Sequence, residues 1–517
     1  MLTDSLYLHN VWTWNPFPVS ITIVLIVVSV VWLSWRLWRF TLVPLLLRPD
    51  EPKVLPYWIP FIGHTWQFVR NPETLINSGY AYFGSSQPFA LCVAGRRAVV
   101  LRDVADVAAV WKNTEAALSF DPFGISRGGL RRVFADPRAL IPDEETRAKA
   151  LLIRENPRNE GYMNLERDWF RAQLLAPEAL ARLQRRYRAH LGGSLAWDAV
   201  SRNTVYLLPS SGTVSVSVSL RLFCRYTVSH CSTLAFFGRG LQRRLPPFLA
   251  RGSHAAKDRA MDGLVAQEEG DGLEWLFKTM IQELGYLGVA ERDVAGIVMI
   301  IIWAINNNAH KIAFWILAHL LHGPPAYLAA VRAEISAAYS PPSPESKGEE
   351  EEESRPDLDV LLRACPHLDA IWYEALRLYN ATSAVREAVA PCTVGGKQIR
   401  VGDQLVAPFR QFHLDQGIFG ADAAEFNPDR FLENKNLQRT KGYAPFGGGH
   451  TYCPGRLFAQ REIYMFIAET LWRFELEVVG EEKRRMPQVD TNTPSAAAMG
   501  PDRDVVVQLR PRAIIHN

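Results

Sequence analysis

Cysteine is scarce in this chain. Six are scattered over 517 residues (Cys92, Cys224, Cys231, Cys365, Cys392 and Cys453), and no two form a C-x-x-C pair. That spacing speaks against a disulfide framework and a cysteine-based zinc site, and suits a protein body facing a reducing compartment. Charge of one sign is also lacking. The net charge is +3, with no basic stripe interleaved with aromatics, so nucleic acid is not expected as a partner. What is plentiful is apolar character, 48% against 21% charged, enough for a large interior. The length allows two to four domains, or one continuous α-rich core.

Uncharged runs are few, and the first stands out. Phe17 to Trp35 is 19 residues without a charge, just long enough as a helix to cross a bilayer's hydrocarbon core. Trp12 and Trp14 precede it, Trp32, Trp35 and Trp38 close it, and Arg36 and Arg39 follow. The positive-inside rule then places the C-terminal bulk in the cytosol. A cleaved signal peptide is the alternative; the run is long for one and no small-residue cleavage site follows. Arg48-Pro49-Asp50-Glu51-Pro52, with Pro56 and Pro60, reads as a stiff linker off the membrane.

Beyond it, Phe89–Val93 and Ala98–Leu101 around Gly95-Arg96-Arg97 predict a β-hairpin. Helical periodicity then dominates. Asp293 to Leu321 is the longest helical pattern, nearly all apolar and stopped by Gly323-Pro324-Pro325. Asn306, Asn307, Asn308, His310 and Lys311 divide it into halves too short to span a membrane, so it reads as the buried spine of a large domain with a polar notch. The notch is either functional or a water-filled kink. His367 to Tyr379 is again helical and places Glu374 and Arg377 on one face, where an ordinary surface ion pair is the plain alternative. Glu349 to Glu353 is a solvated charge run.

Near the C-terminus, Phe446-Gly447-Gly448-Gly449-His450-Thr451-Tyr452-Cys453-Pro454-Gly455 is a tight turn presenting one cysteine at the mouth of a helical pattern that begins at Leu457. The adjacent helix dipole is expected to lower the thiol's pKa and favour a ligating sulfur. A glycine-rich loop with a structural cysteine is the alternative.

Phe446, Gly449, Cys453 and Gly455 fall where the haem-ligand signature of the cytochrome P-450 haem-thiolate superfamily requires them. Glu374-x-x-Arg377 resembles its E-x-x-R motif, and Phe426-Asn427-Pro428-Asp429-Arg430-Phe431 its F-x-P-x-R-F segment. The resemblance is strong over the C-terminal half. It implies a mainly α protein with small β-sheets in the triangular cytochrome P-450 fold, preceded by one N-terminal transmembrane helix. Residues 1–47 would be the anchor segment and 48–517 the catalytic domain. Haem b (iron protoporphyrin IX) would be the cofactor, with Cys453 as axial thiolate and metal ligand. Phe446, Gly449 and Gly455 would shape its loop, and a buried Glu374–Arg377–Arg430 network would lock that loop to a helix. Arg386 resembles the family's propionate-pairing strand arginine. Thr451 stands where a basic residue is usual, so either His450 supplies that contact or it is a solvent-facing histidine. The family's W-x-x-x-R pair is missing from the helical stretch Glu166 to Leu191, so propionate contacts must come from elsewhere.

Matching Ala304 to the family's Ala-Gly pair puts Asn307 at the proton-delivering acid and Asn308 at the threonine. Neither donates a proton as an acid, but either can hold a relaying water. The Trp303-Ala304…Asn308…Phe314-Trp315 pattern is similar to the subgroup of sterol 7-alpha/12-alpha-hydroxylases, prostacyclin synthase and fungal relatives. The resemblance implies a monooxygenase on a lipophilic substrate (terpenoid, steroid or polyketide-like), fed from NADPH by NADPH-cytochrome reductase at the endoplasmic reticulum membrane. Two alternatives stay open: an isomerase or dehydratase acting on a peroxide, and a non-catalytic haem-binding remnant. The last is motivated by Leu241 to Asp271, which is short for the two helices that roof the family's cavity. The loops at Phe120 to Arg132 show no recognisable motif.

Overall fold

The computed structural model describes residues 16–84, 86–112, 117–120, 162–209, 214–244, 272–286, 289–339, 356–480, 483, 485–493 and 497–512. Most of the short roof segment, most of the 120–132 loop and the glutamate run lie outside these residues.

The apolar N-terminal run forms helix α1 (Pro16–Leu37), continued by a π-helical stretch at Trp38–Leu47. Ile21–Leu47 is long and apolar enough to cross a membrane by length and composition, and none of it is buried against the body. Its base is fixed to the linker: Trp32 Nε1 donates to the Trp58 carbonyl at 2.9 Å, and Arg36 Nη1 to the Tyr57 carbonyl at 2.8 Å.

Strands β1 (Phe89–Val93) and β2 (Arg96–Val100) pair antiparallel with Phe89 opposite Val100, forming the hairpin. They join a six-stranded mixed sheet with β4 (Ser383–Ala388) and β5 (Gln404–Pro408), flanked by short strands at Lys53–Val54 and Leu118–Ser119. β2 runs parallel to β5, and β5 antiparallel to β4. Helix α2 (Val104–Lys112) follows the hairpin. A three-stranded sheet is made by β3 (Val216–Ser219), β6 (Phe474–Val478) and β7 (Val506–Pro511). In β6 the period-two alternation buries Phe474, Leu476 and Val478 and exposes Glu475 and Glu477.

The main core is helical. The predicted stretch from Glu166 to Leu191 is two helices, α3 (Tyr162–Leu174) and α4 (Pro177–Ser194). Pro177 forces the division and then serves as a pre-set first residue of α4. Leu180, Leu183, Tyr187 and Leu191, at i+3 and i+4 spacing, line its buried face. Helix α5 (Leu220–Arg244) is interrupted at Gly238, whose φ of 69° is open to glycine. The short α6 (Trp275–Tyr286) packs on α3.

The spine is α7 (Glu291–Asn306) and α8 (Ala309–His322), separated at Asn307 and Asn308. After α9 (Pro325–Ala338) come α10 (Pro366–Tyr379) and the final helix α11 (Arg456–Arg473). Helices α4, α5, α8 and α11 pack against one another around a continuous cluster that includes Tyr187, Phe223, Phe314, Trp315 and Phe466. The cysteine turn enters this bundle directly through α11.

Candidate functional site

The turn before α11 is held by its own backbone. Cys453 N donates to the Phe446 carbonyl at 3.0 Å and Tyr452 N to that of Gly449 at 3.2 Å. Closing it needs φ of 74° at Gly447 and 60° at Gly449, the left-handed region that side chains disfavour. Gly448 is extended, and its requirement is proximity: a Cβ there would stand 2.5 Å from the indole of Trp111 on α2.

The cysteine thiol departs from the sequence expectation. Burial pushes its pKa up, and this outweighs the backbone hydrogen bonds from Gly455 and Arg456 and the Arg456 charge, which pull it down. The helix terminus is there, but desolvation of a lone thiolate costs more than the dipole returns. The same N–H groups would stabilise a sulfur whose negative charge is shared with a metal. Arg456 is fixed beside it, with Nη1 donating to the Cys453 carbonyl at 3.0 Å and the guanidinium 4.2 Å from the Tyr452 ring.

The structure brings Glu374, Arg377 and Arg430 together, with both α10 side chains fully buried. Glu374 accepts from Arg377 Nε and Nη2 at 2.7 Å each, from Arg430 Nε at 3.2 Å and from Asn427 N at 2.8 Å. Arg377 donates onward to the carbonyls of His413, Ala423 and Glu425. Its neighbour His413 is held near pKa 3 by burial and the charges of Arg377 and Arg410. Kept neutral, its Nε2 accepts from Ala444 N at 3.1 Å, which ties the network to the start of the cysteine loop.

Three further ties were invisible in the sequence. Asn380 Nδ2 and Thr382 Oγ1 donate to the Pro445 carbonyl at 2.7 and 3.1 Å, and Tyr443 Oη to the Tyr373 carbonyl at 3.0 Å. Their one local signal is that they flank the helix and the loop that the motifs had already marked.

Arg386 on β4 is buried, and its Nη2 donates to Thr451 Oγ1 at 3.0 Å. The arginine thus reaches the position two before the cysteine from another strand. His450 is exposed on the same turn.

At the spine's break, Asn306 is buried and the next two asparagines are half-buried. The Asn306 carbonyl takes hydrogen bonds from Ser229 Oγ on α5 at 3.1 Å and from His310 Nδ1 at 2.9 Å, which replace the helical partner it has lost. Asn308 Nδ2 donates to the Ala304 carbonyl at 3.5 Å, while its Oδ1 accepts from Ala498 N at 3.2 Å. Lys311 Nζ and Trp315 Nε1 donate to the Ala498 and Met499 carbonyls at 3.0 and 2.9 Å. The notch therefore grips a C-terminal segment. Asn307 lies at the break, beside accessible Trp303 and Ala304.

A cysteine at a glycine turn, two backbone N–H groups on its sulfur and a buried arginine at the loop's edge suit a flat anionic macrocycle with a metal at its centre. They are compatible with a haem-thiolate class of protein.

Comparison with known proteins agrees. The cytochrome P450 family model matches residues 264–503. The chain is 26% identical to cytochrome P450 monooxygenase poxD of Penicillium oxalicum, over 87% of this chain and 92% of that one. It is 27% identical to prostacyclin synthase of Rattus norvegicus, over 90% and 95%. It is 30% identical to cholesterol 7-alpha-monooxygenase of Cricetulus griseus, over 50% and 54%. Residues 264–503 thus match a cytochrome P450 domain, similar to the subgroup that joins these relatives, and the protein is an oxidoreductase whose cofactor is haem with an axial cysteine thiolate.

Proposed function

We propose that this protein is a membrane-anchored monooxygenase that inserts one oxygen atom from O2 into a lipophilic substrate of terpenoid, steroid or polyketide type. Electrons come from NADPH through a cytochrome reductase. The observation that carries the reading is the cysteine turn at the mouth of α11, clamped by the Glu374 network. Cys453 is the iron's ligand, and bound haem supplies O2 activation and O–O cleavage. The protein's own residues do the rest. Phe446, Gly449 and Gly455 shape the loop. Arg386 compensates carboxylate charge at the haem edge, with exposed His450 as a second candidate. Asn307, free of the contacts that occupy Asn308, holds a water in the proton path.

Residues 1–47 anchor the catalytic domain, 48–517, to the cytosolic face of the endoplasmic reticulum. Apolar α1 supports this, as do the exposed side chains of Trp58, Phe61 and Trp66 beside its base.

A second reading, rearrangement of a peroxide without O2 or NADPH, is favoured by the asparagines in place of an acid and a threonine. Full-length similarity to prostacyclin synthase supports it too. Product analysis of microsomes carrying the chain, with and without reductase, separates the two. Turnover that requires NADPH and reductase is expected; product from a peroxide substrate in their absence overturns the monooxygenase reading.

A further inference from the structure

Helix α3 does not provide the tryptophan–arginine pair that would hold a haem carboxylate. Its Trp169 is buried in the helical core, and its Arg171 pairs with Asp168 at the surface, 3.3 Å away. Another tryptophan lies at the cysteine turn instead. Trp111, near the end of α2, lays its indole across Gly448 and Gly449. A Cβ on Gly448 would be 2.8 Å from the ring's Cε2, and one on Gly449 would be 3.0 Å from Cδ1. These are the two carbons bonded to Nε1, so the N–H edge lies against the turn itself. Nε1 is buried and has no hydrogen-bond partner among the described residues.

An indole N–H can only donate. Buried tryptophans nearly always find an acceptor, since leaving such a donor unpaired is costly. Two of the turn's oxygens are already engaged with each other: Thr451 Oγ1 takes Arg386 Nη2 and donates to the Gly448 carbonyl. Among the described residues the place lacks an acceptor, and what Arg386 adds is positive charge. A carboxylate satisfies both, and protoporphyrin carries two of them at its edge.

We propose that Trp111 is a haem-binding residue whose indole N–H donates to a haem propionate carboxylate, alongside Arg386. The inference rests on the haem reading of the site and adds to it a donor from α2, taking over a role that α3 leaves vacant.

Trp111→Phe keeps an aromatic ring on the glycines and deletes the N–H. In the holoenzyme, haem transfer to excess apomyoglobin is expected to accelerate roughly ten- to a hundredfold, the worth of one hydrogen bond to a charged group. The propionate bending line in the resonance Raman spectrum should move as well. Trp111→His, which retains a ring donor, should recover part of both effects. A Trp111→Phe holoenzyme that loses haem at the wild-type rate with an unmoved propionate line overturns the proposal. So does a variant whose haem-free form melts correspondingly lower, since that marks a packing role. Wild-type protein that binds no haem would instead refute the site reading as a whole, so the two failures are distinguishable.

Discussion

Replacing Glu374 by alanine removes the acceptor on which two arginines converge. Four donors lose their partner together: Arg377 Nε and Nη2, Arg430 Nε and Asn427 N. Arg377 is fully buried, so water cannot replace the carboxylate without opening the structure. Breaking one partner out of a buried ion pair costs about 3–5 kcal/mol, because a charge is left uncompensated. Two features moderate this. Arg377 keeps three carbonyl acceptors, and Arg430 keeps Asp422, 3.0 Å away and more exposed. The lower end, about 3 kcal/mol, is therefore expected, a large fraction of the roughly 5–15 kcal/mol that holds a domain folded. The loss is directed at the cysteine loop, because Arg377 reaches it through His413 and Ala444. The assay is haem per polypeptide by pyridine haemochromogen, with the ferrous–CO spectrum recorded on the same sample. Glu374→Ala should retain little haem and Glu374→Gln an intermediate amount. Glu475→Ala, which breaks the 2.6 Å surface pair with Arg332, should lose less than about 1 kcal/mol and no haem. Full haem occupancy in Glu374→Ala, with an unchanged melting temperature, would refute the clamp.

Gly448→Ala should drive its new methyl into the Trp111 indole and cost about 1–3 kcal/mol by overpacking. A lower melting temperature of the haem-free protein checks this, and partial recovery of that temperature in Gly448→Ala with Trp111→Leu would assign the cost to that contact. Glu462 on α11 is buried against Ser232 Oγ, and burial raises its pKa from 4.5 to about 8. Its folded pKa exceeds its unfolded one, so its contribution to stability is full below about pH 4.5 and is lost as pH rises through about 8. Glu462→Gln should flatten this part of the pH–stability curve and be the more stable protein at pH 8; chemical denaturation at pH 5 and pH 8 measures it, and parallel curves for the two proteins would contradict the assignment.

How much of this could be read from the chain depended on whether the chemistry was local. The turn from Phe446 to Gly455 was legible because its conformation is fixed by its own glycines, and Glu374 and Arg377 because one helical turn separates them. The polar notch in the spine was legible as a defect, since three consecutive asparagines are poor helix formers. Its meaning was not: Asn308, Lys311 and Trp315 are engaged by backbone at Ala498 and Met499, nearly two hundred positions away, and no periodicity encodes that pairing. The thiol's direction of shift was misread for a related reason. A helix terminus is a sequence-local feature, whereas desolvation is set by everything packed around the sulfur, and at Cys453 the second effect is larger. Arg386 shows the same division from the other side. The sequence has a threonine where a basic residue is usual, yet a guanidinium reaches that threonine's hydroxyl from β4, a strand that pairs with β5 rather than with the loop. A motif gap was filled through space, and Trp111 on α2 is argued to fill the next one in the same way.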